Sequence, residues 1–147
     1  MSDGLPPPAV PIVRLLSVPA EHFKDACALA EPWLAASCER NPNDLTTDAL
    51  REMVQVGHAG LFLIQRDGSD PVAAGVRQLR DYADGRRTCW ILAVGGSDRD
   101  ACLKVLPVIE HDARVKDCVT VEFAGRPGWA ALLPDYACQA QYTKELR

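Results

Sequence analysis

The six cysteines and three histidines of this 147-residue sequence are its strongest candidates for nucleophilic or metal chemistry. The sequence contains no Cys-x-x-Cys pair, and no cysteine and histidine have the spacing of a zinc site. Four cysteines lie in segments predicted to be regular and core-facing, where a free thiol behaves as a small hydrophobe: Cys27, Cys89, Cys102 and Cys118. We therefore expect no metal site and reduced thiols, as in the cytoplasm. Zinc, a catalytic thiol and disulfides are the alternatives.

Two local arrangements resemble fragments of a catalytic site. Cys89 precedes Trp90 in an apolar segment, but burial in apolar surroundings raises the pKa of a thiol and makes it unreactive. His111 and Asp112 are adjacent on a predicted helix, where neighbouring side chains point about 100° apart and do not face each other. We expect a core thiol and a solvated helix face rather than a nucleophile and its base.

The balance of charge restricts the partners of the chain. Sixteen basic and twenty acidic residues give a net charge of −4, so the surface as a whole does not attract nucleic acid or anionic lipid. We expect neither a membrane nor a sequence-specific nucleic acid as a partner. One local basic cluster surrounds Asp84-Gly85: Arg77, Arg80, Arg86 and Arg87. It suits contact with a phosphate or with an acidic protein surface. Alternatively, its charges protect an edge hairpin from aggregation.

The strands and helices that position these residues follow from hydrophobic periodicity. With 48% hydrophobic and 24% charged residues, the composition is that of a soluble globular domain. We expect one domain over residues 11–147 after an extended proline-rich arm, 1–10. Alternating or continuous apolar runs predict strands over 11–18, 61–64, 72–82, 88–94, 119–123 and 139–146.

Apolar residues at helical spacing predict four helices between these strands. They cover about 21–40, about 47–56 with Thr46 or Thr47 as the cap, 98–116, and 129–133. Pro107 predicts a kink within the third helix. Because that helix lies directly between two buried strands, it predicts a parallel crossover. The fold class is therefore α/β, a mixed twisted sheet of about six strands flanked by helices in the order β α α β β β α β α β.

This order resembles that of the GNAT fold, the acyltransferase family that uses acetyl-CoA. The resemblance covers residues 11–146. It rests on the element order, on the strand 88–94 that leads through a glycine-containing turn into a helix, and on Asp135-Tyr136 before the last strand. The stretch Gly125-Arg126-Pro127-Gly128-Trp129 resembles small GNAT-like proteins of tailed phages and prophages.

The resemblance implies acetyl-CoA as a possible cofactor, with the pantetheine arm on a splayed strand and the diphosphate at the next helix N-terminus. The residues that correspond to this site are Leu92, Ala93, Val94, Gly95, Gly96, Ser97 and Arg99. Asp98 and Asp100 depart from the family's loop, since they put carboxylates where the diphosphate sits. Two charges about 4 Å apart repel by about 4 kcal/mol at an effective dielectric near 20. Arg99 offsets part of this repulsion if it turns inward, and Asp98 is alternatively a helix cap.

The family also needs a base for the amine and an acid for the leaving thiolate. Glu122, on the strand after the third helix, and Asp81, near a hairpin, are the candidate bases. The family's acid is a tyrosine in the short helix before the last strand, and Ala131 stands in that position here. Tyr136 and Tyr142 are the remaining candidates.

Two functions follow from the resemblance. The first is a non-catalytic component of a phage particle or its assembly, with phage structural or assembly proteins as partners, located in the bacterial cytoplasm or the virion. The altered loop, the missing tyrosine, the proline-rich arm and the residues 125–129 favour it. The alternative is an acetyl-CoA-dependent N-acyltransferase that acts on an unidentified amine.

Overall fold

The computed structural model describes residues 12–40, 45–124, 129, 131–138 and 144–146. A 3-10 turn, Ala20–His22, precedes the first helix. The elements, in chain order, are β1 (Val13–Ser17), α1 (Phe23–Arg40), α2 (Thr47–Gln55), β2 (Gly60–Arg66), β3 (Pro71–Asp81), β4 (Arg87–Gly96), α3 (Arg99–Lys104), α4 (Leu106–Val115) and β5 (Thr120–Phe123). The predicted arm 1–10, the stretch 125–128 and the greater part of the predicted last strand, 139–143, lie outside these residues.

The strands form one mixed sheet in the order β1-β2-β3-β4-β5. The first four strands are antiparallel neighbours, and β5 returns parallel to β4 after the crossover through α3 and α4. The predicted α/β class and the parallel crossover are confirmed. The described part of the chain has five strands instead of about six, because Lys144–Leu146 lie outside any strand and residues 139–143 are not described.

The sheet separates two hydrophobic clusters, since successive side chains of a strand point to opposite faces. The α1 cluster includes Leu34 and Leu50 against Leu63 and Val76 of the sheet. The α4 cluster packs other apolar side chains beneath the opposite face, among them Phe62, Ile64, Cys89, Ile91, Val105 and Ile109. The three central strands β2, β3 and β4 contribute residues to both clusters, whereas β1 and β5 contribute only to the α4 cluster.

Phe62 is the largest fully buried side chain among the described residues, and it fits because β3 has a glycine beside it. A Cβ atom on Gly75 would lie 2.8 Å from Cε1 of Phe62 and 2.8 Å from the Ala93 carbonyl oxygen. Both distances are shorter than van der Waals contact, so the ring of Phe62 occupies space that a side chain at position 75 would need.

The predicted third helix is divided into α3 and α4, which meet at Val105. Pro107 lies in the first turn of α4, where its missing N–H has no intrahelical partner to lose. The predicted kink is therefore confirmed as a break between two helices. Among the described residues, no helix is both long and apolar enough to cross a membrane.

Two predicted turn residues belong to a strand. Gly95 and Gly96 were expected to form the turn after the central strand, but they pair with Ala74 and Ala73 of β3. A Cβ atom on Gly96 would lie 2.5 Å from the carbonyl oxygen of Val72. The glycine at 96 therefore permits close approach of β3 and β4, and only Ser97 and Asp98 connect β4 to α3.

Candidate functional site

The end of β4 extends beyond its pairing with β5. Residues Thr88–Ile91 of β4 pair with Thr120–Phe123. The strand then continues from Leu92 to Gly96, and among the described residues only β3 pairs with this part. The β5 side of residues 92–96 is therefore an open backbone edge in the described part of the chain.

A bulge at Leu92 coincides with the point where β5 ends. Val76 pairs with Ala93 and Arg77 pairs with Ile91, so Leu92 is an extra residue in β4. Leu92 and Ala93 both pack into the α1 cluster, whereas Ile91 and Val94 pack into the α4 cluster. A bulge bends its strand and increases the local twist. The predicted residues Leu92, Ala93 and Val94 therefore share this open edge of β4, with Leu92 and Ala93 packed on one face of the sheet and Val94 on the other.

The connection from β4 to α3 is tightly bonded. The backbone N–H and the hydroxyl of Ser97 both donate to the Val72 carbonyl, at 2.9 and 3.2 Å. Asp98 is the N-cap of α3, and its Oδ1 accepts from the Ala101 N–H at 3.0 Å. The alternative prediction for Asp98, a helix cap, is confirmed.

Arg66, the last residue of β2, forms ion pairs with both carboxylates that follow β4, those of Asp98 and Asp100. Its Nε and Nη2 donate to the two oxygens of Asp98, at 2.6 and 3.0 Å, and Nη2 also donates to Asp100 at 2.9 Å. Lys104 lies 3.1 Å from the same Asp100 oxygen. The carboxylates of Asp98 and Asp100 are therefore paired with cations of the chain itself.

These contacts determine the ionisation of the cluster. Hydrogen bonds from Arg66 and from the Ala101 N–H lower the pKa of Asp98 to about 2. The hydrogen bonds from Arg66 and Lys104 lower the pKa of Asp100, and both carboxylates raise the pKa of Arg66. At neutral pH the cluster holds two anions and two cations and has no net charge.

Arg99 does not take part in this cluster. Its guanidinium carbon lies 5.7 Å from the ring centre of Trp129, within cation–π range. Arg66, which no sequence pattern indicated, offsets the negative charge of Asp98 and Asp100, the role expected of Arg99. Alternation along β2 was the available signal, because it places Arg66 on the same face as Phe62 and Ile64, the face that α3 covers.

The residues present fit one part of CoA and not another. An extended pantetheine arm, with its amide groups, suits the open backbone edge of residues 92–96. A diphosphate fits the start of α3 poorly, because the carboxylates of Asp98 and Asp100 lie there and the N–H groups of Ala101 and Ser97 already have acceptors. The open edge therefore suits an arm of this kind, while the connection, whose carboxylates are already paired with Arg66 and Lys104, offers little to an anion.

The two acid–base candidates lie on opposite faces of β5. Glu122 pairs with Trp90 in the sheet, is half-buried, and lies 3.4 Å from the Thr120 hydroxyl. Tyr136 packs on Phe123, which belongs to the α4 side, with ring centres 5.6 Å apart. Because side chains alternate along β5, Glu122 points to the other face. The two side chains therefore do not form a contacting pair, and the role of each stays a prediction.

The hydroxyl of Tyr136 donates to Oε2 of Glu110 at 2.7 Å. Burial, together with this carboxylate, raises the pKa of Tyr136 well above its ordinary range. The Tyr136 hydroxyl therefore keeps its proton and donates it in the hydrogen bond to Glu110. Ala131, in the position where the family has its tyrosine, is exposed, and Tyr142 lies outside the described residues.

The basic cluster around the hairpin is largely neutralised. Arg86 pairs with Asp84 at 2.8 Å, Arg87 with Asp81 at 2.7 Å, and Arg77 with Asp112 at 2.8 Å. Arg80 lies 4.4 Å over the ring of Trp90. A contact with phosphate or with an acidic protein surface, two of the alternatives for this cluster, therefore has little unpaired positive charge available. Asp81 is an ion-pair partner of Arg87 rather than a free base.

The six cysteines are free thiols in the structure, and burial raises the pKa of Cys89. His111 and Asp112 do not act together, since Asp112 is paired with Arg77 and with Lys116, at 3.0 Å. A groove of about 390 Å³, lined in part by Arg77, Cys89 and Asp112, lies beneath the sheet near the C-terminal end of α4. Among the residues that the structure describes, no group of three or more side chains has the arrangement of a metal site.

No family model matches the sequence, and no curated protein matches it. Solved structures do match the fold. An aminoglycoside acetyltransferase from an uncultured soil metagenomic sample, in complex with sisomicin, has a TM-score of 0.63 at 7% identity and covers 92% of this chain and 97% of its own. A ribosomal-protein-alanine N-acetyltransferase from Brucella melitensis biovar Abortus 2308 has a TM-score of 0.62 at 15% identity, with coverages of 92% and 97%.

An aminoglycoside N-acetyltransferase in complex with CoA has a TM-score of 0.55 at 14% identity, and the coverages are 94% and 97%. The identities are too low to transfer an activity, but the matches extend over nearly the full length of each chain. The chain therefore has the GNAT acetyltransferase fold, and the resemblance of its element order to this fold is confirmed.

Proposed function

We propose that the protein is an N-acyltransferase that takes an acyl group from a pantetheine thioester such as acetyl-CoA and transfers it to an amine. The observation that carries the proposal is the open edge of β4 from Leu92 to Gly96, with its bulge at Leu92. The likeness of the whole chain to solved acetyltransferases supports it. When bound, the thioester supplies an activated acyl group.

The backbone of β4 is the proposed binding element for the donor. Free N–H and C=O groups along residues 92–96 pair with the amides of an extended arm, as an added strand pairs with a sheet edge. This mode of binding depends on backbone geometry, so Leu92, Ala93 and Val94 need no polar side chains. Gly95 and Gly96 extend the same edge towards α3.

Glu122 is the proposed base for the amine. It lies opposite Trp90, two residues before the open part of β4 begins, and its hydrogen-bond neighbour is the hydroxyl of Thr120. Its carboxylate has no ion-pair partner among the described residues. A carboxylate of this kind accepts a proton or attracts a cationic amine. Glu122→Gln is therefore expected to lower turnover while the donor still binds.

Hydrogen exchange with a bound ligand tests the binding element. Pantetheine is expected to slow exchange of amides within residues 92–96 that face away from β3, because they acquire hydrogen-bond partners. Amides of β2 that already pair within the sheet serve as the internal control. Unchanged exchange throughout β4 at saturating pantetheine would show that the open edge of residues 92–96 is not the binding element.

Thermal unfolding gives an independent measure of binding. A ligand at about 100 times its dissociation constant adds roughly 2.7 kcal/mol, which raises the melting temperature of a domain of this size by roughly 5 to 10 °C. We expect a shift of this size with pantetheine, and the complete absence of a shift contradicts the proposed function.

A non-catalytic role in a phage particle or its assembly is the second candidate. The observations that favour it are the neutralised connection at Asp98 and the bonding of the Tyr136 hydroxyl to Glu110. Under this proposal neither pantetheine nor CoA binds, and removal of the arm 1–10 impairs assembly with phage proteins while the remaining domain folds. Normal assembly without the arm would argue against it.

A further inference from the structure

We propose that Asp98 and Asp100 determine donor specificity: they keep a diphosphate from binding at the start of α3, so the protein recognises its thioester donor through the pantetheine arm alone and gains no affinity from the diphosphate of CoA. The inference rests on the proposed function and names the donor class for the same open edge of β4. The donors favoured are pantetheine thioesters that carry no diphosphate at the start of α3.

The first step concerns the N–H groups at this position. A diphosphate at a helix N-terminus is held by backbone N–H groups that have no other acceptor. Here the Ala101 N–H donates to Asp98, the Cys102 N–H to the Asp98 carbonyl, and the Ser97 N–H to Val72. Of the first turn of α3, this leaves the N–H groups of Arg99 and Asp100, which lie next to the carboxylates of Asp98 and Asp100. Because α3 follows β4 after only two residues, the connection has no additional loop to supply donors.

The second step concerns the nearest cation. The guanidinium of Arg66 is about one-quarter exposed and spans both carboxylates, with distances of 2.6 to 3.0 Å. If Arg66 turned to a diphosphate instead, Asp98 and Asp100 would lose this partner beside a second anion. Like charges brought together without a cation between them repel, so the exchange of partners is unfavourable.

The third step concerns the remaining basic side chains. Lys104 is paired with Asp100 at 3.1 Å, and Arg99 lies over Trp129. The cluster of Asp98, Asp100, Arg66 and Lys104 is neutral, and among the described cations near the connection only Arg99 has no carboxylate partner. A diphosphate at the start of α3 would therefore find Arg99 alone as an unpaired cation, beside the two carboxylates of Asp98 and Asp100.

Titration calorimetry with three probes tests the inference: pantetheine, 4′-phosphopantetheine and CoA. These share one arm and carry increasing phosphate charge. We expect the affinity of the unaltered protein to stay constant or to fall along this series. If CoA binds about tenfold more tightly than pantetheine, the inference is overturned while the proposed function stands.

A double variant, Asp98→Asn with Asp100→Asn, tests the residues themselves. Asparagine is also a good N-cap, so α3 retains its cap, while Arg66 becomes free for a phosphate. CoA affinity is expected to rise by about tenfold and pantetheine affinity to stay within about twofold. The matched control, Asp25→Asn with Asp48→Asn, removes the same charge from exposed positions of α1 and α2 and is expected to change neither affinity.

The remaining outcomes are also decisive. A double variant that gains no CoA affinity overturns the inference, and Asp100→Asn alone, at an exposed carboxylate, replaces it if the double variant does not fold. If no probe binds to either form of the protein, the proposed function fails, and the inference that rests on it fails as well.

Discussion

The carboxylate of Asp98 has both a local role, as a helix cap, and a long-range role, as an ion-pair partner. It caps α3 through the Ala101 N–H and holds Arg66 at the end of β2, 32 residues earlier in the chain. Because the same group has a local and a distant partner, removal of its charge affects both helix initiation and the attachment of α3 to the sheet. Both consequences are measurable.

The pKa of Asp98 makes stability depend on acid pH. The folded pKa is about 2, below the ordinary value of 3.8, so the contribution to stability is fully present above pH 3.8 and is lost as the pH falls towards 2. In Asp98→Asn this part of the dependence disappears. Urea unfolding at pH 2 to 5 checks it, and parallel profiles for the two proteins would contradict the assignment.

Tyr136 is expected to stabilise the fold through its hydrogen bond to Glu110. Tyr136→Phe removes a part-buried hydrogen bond to a carboxylate and costs about 1 to 2 kcal/mol of unfolding free energy. Tyr82→Phe, on the more exposed hairpin, is the control and should change stability by less than about 0.5 kcal/mol. Equal effects of the two substitutions would show that the hydroxyl of Tyr136 is not held as described.

Among the elements, β4 shows which features hydrophobic periodicity predicts and which it does not. The apolar run predicted a central strand, and the breakers after it predicted a helix start, both of which the structure contains. The bulge at Leu92 could not be predicted, because an uninterrupted run from Ile91 to Val94 hides a shift of register. A side chain's face is readable only where polar and apolar residues alternate.

The site was predictable to the same extent. The cap at Asp98 is a local feature of sequence, and it was correctly predicted. Its partner Arg66 depends on the packing of α3 against the end of β2, which no local pattern specifies. An ion pair between residues 32 positions apart, such as Arg66 and Asp98, can be predicted only once the order of strands is known.

The contact of Gly96 with β3 gives a prediction for the same element. Gly96→Val is expected to destabilise the protein by about 1 to 3 kcal/mol, because its side chain would meet Val72 and Ala73. Gly60→Ala in β2 is the control, since a Cβ there has open space. Chemical denaturation measures both, and a stable Gly96→Val would refute the close approach of β3 and β4.

For the whole molecule, the sheet acts as a partition between two independent clusters. Ile109→Val in the α4 cluster should cost about 1 kcal/mol, and Val76→Ala in the α1 cluster about 2 kcal/mol. Because the two sites lie on opposite faces, their effects should add to within about 0.5 kcal/mol in the double variant. A larger deviation would mean that the sheet transmits strain between its faces.

The pair formed by Phe62 and Gly75 has a consequence for how the sequence can diverge. The ring on β2 fills the volume that β3 leaves vacant, so the two positions share one space. A larger residue at 75 needs a smaller residue at 62 and also a shift of β4, because its Cβ would lie 2.8 Å from the Ala93 carbonyl oxygen. Drift at these two positions is therefore expected to occur as a joint event, with the single-step intermediates selected against.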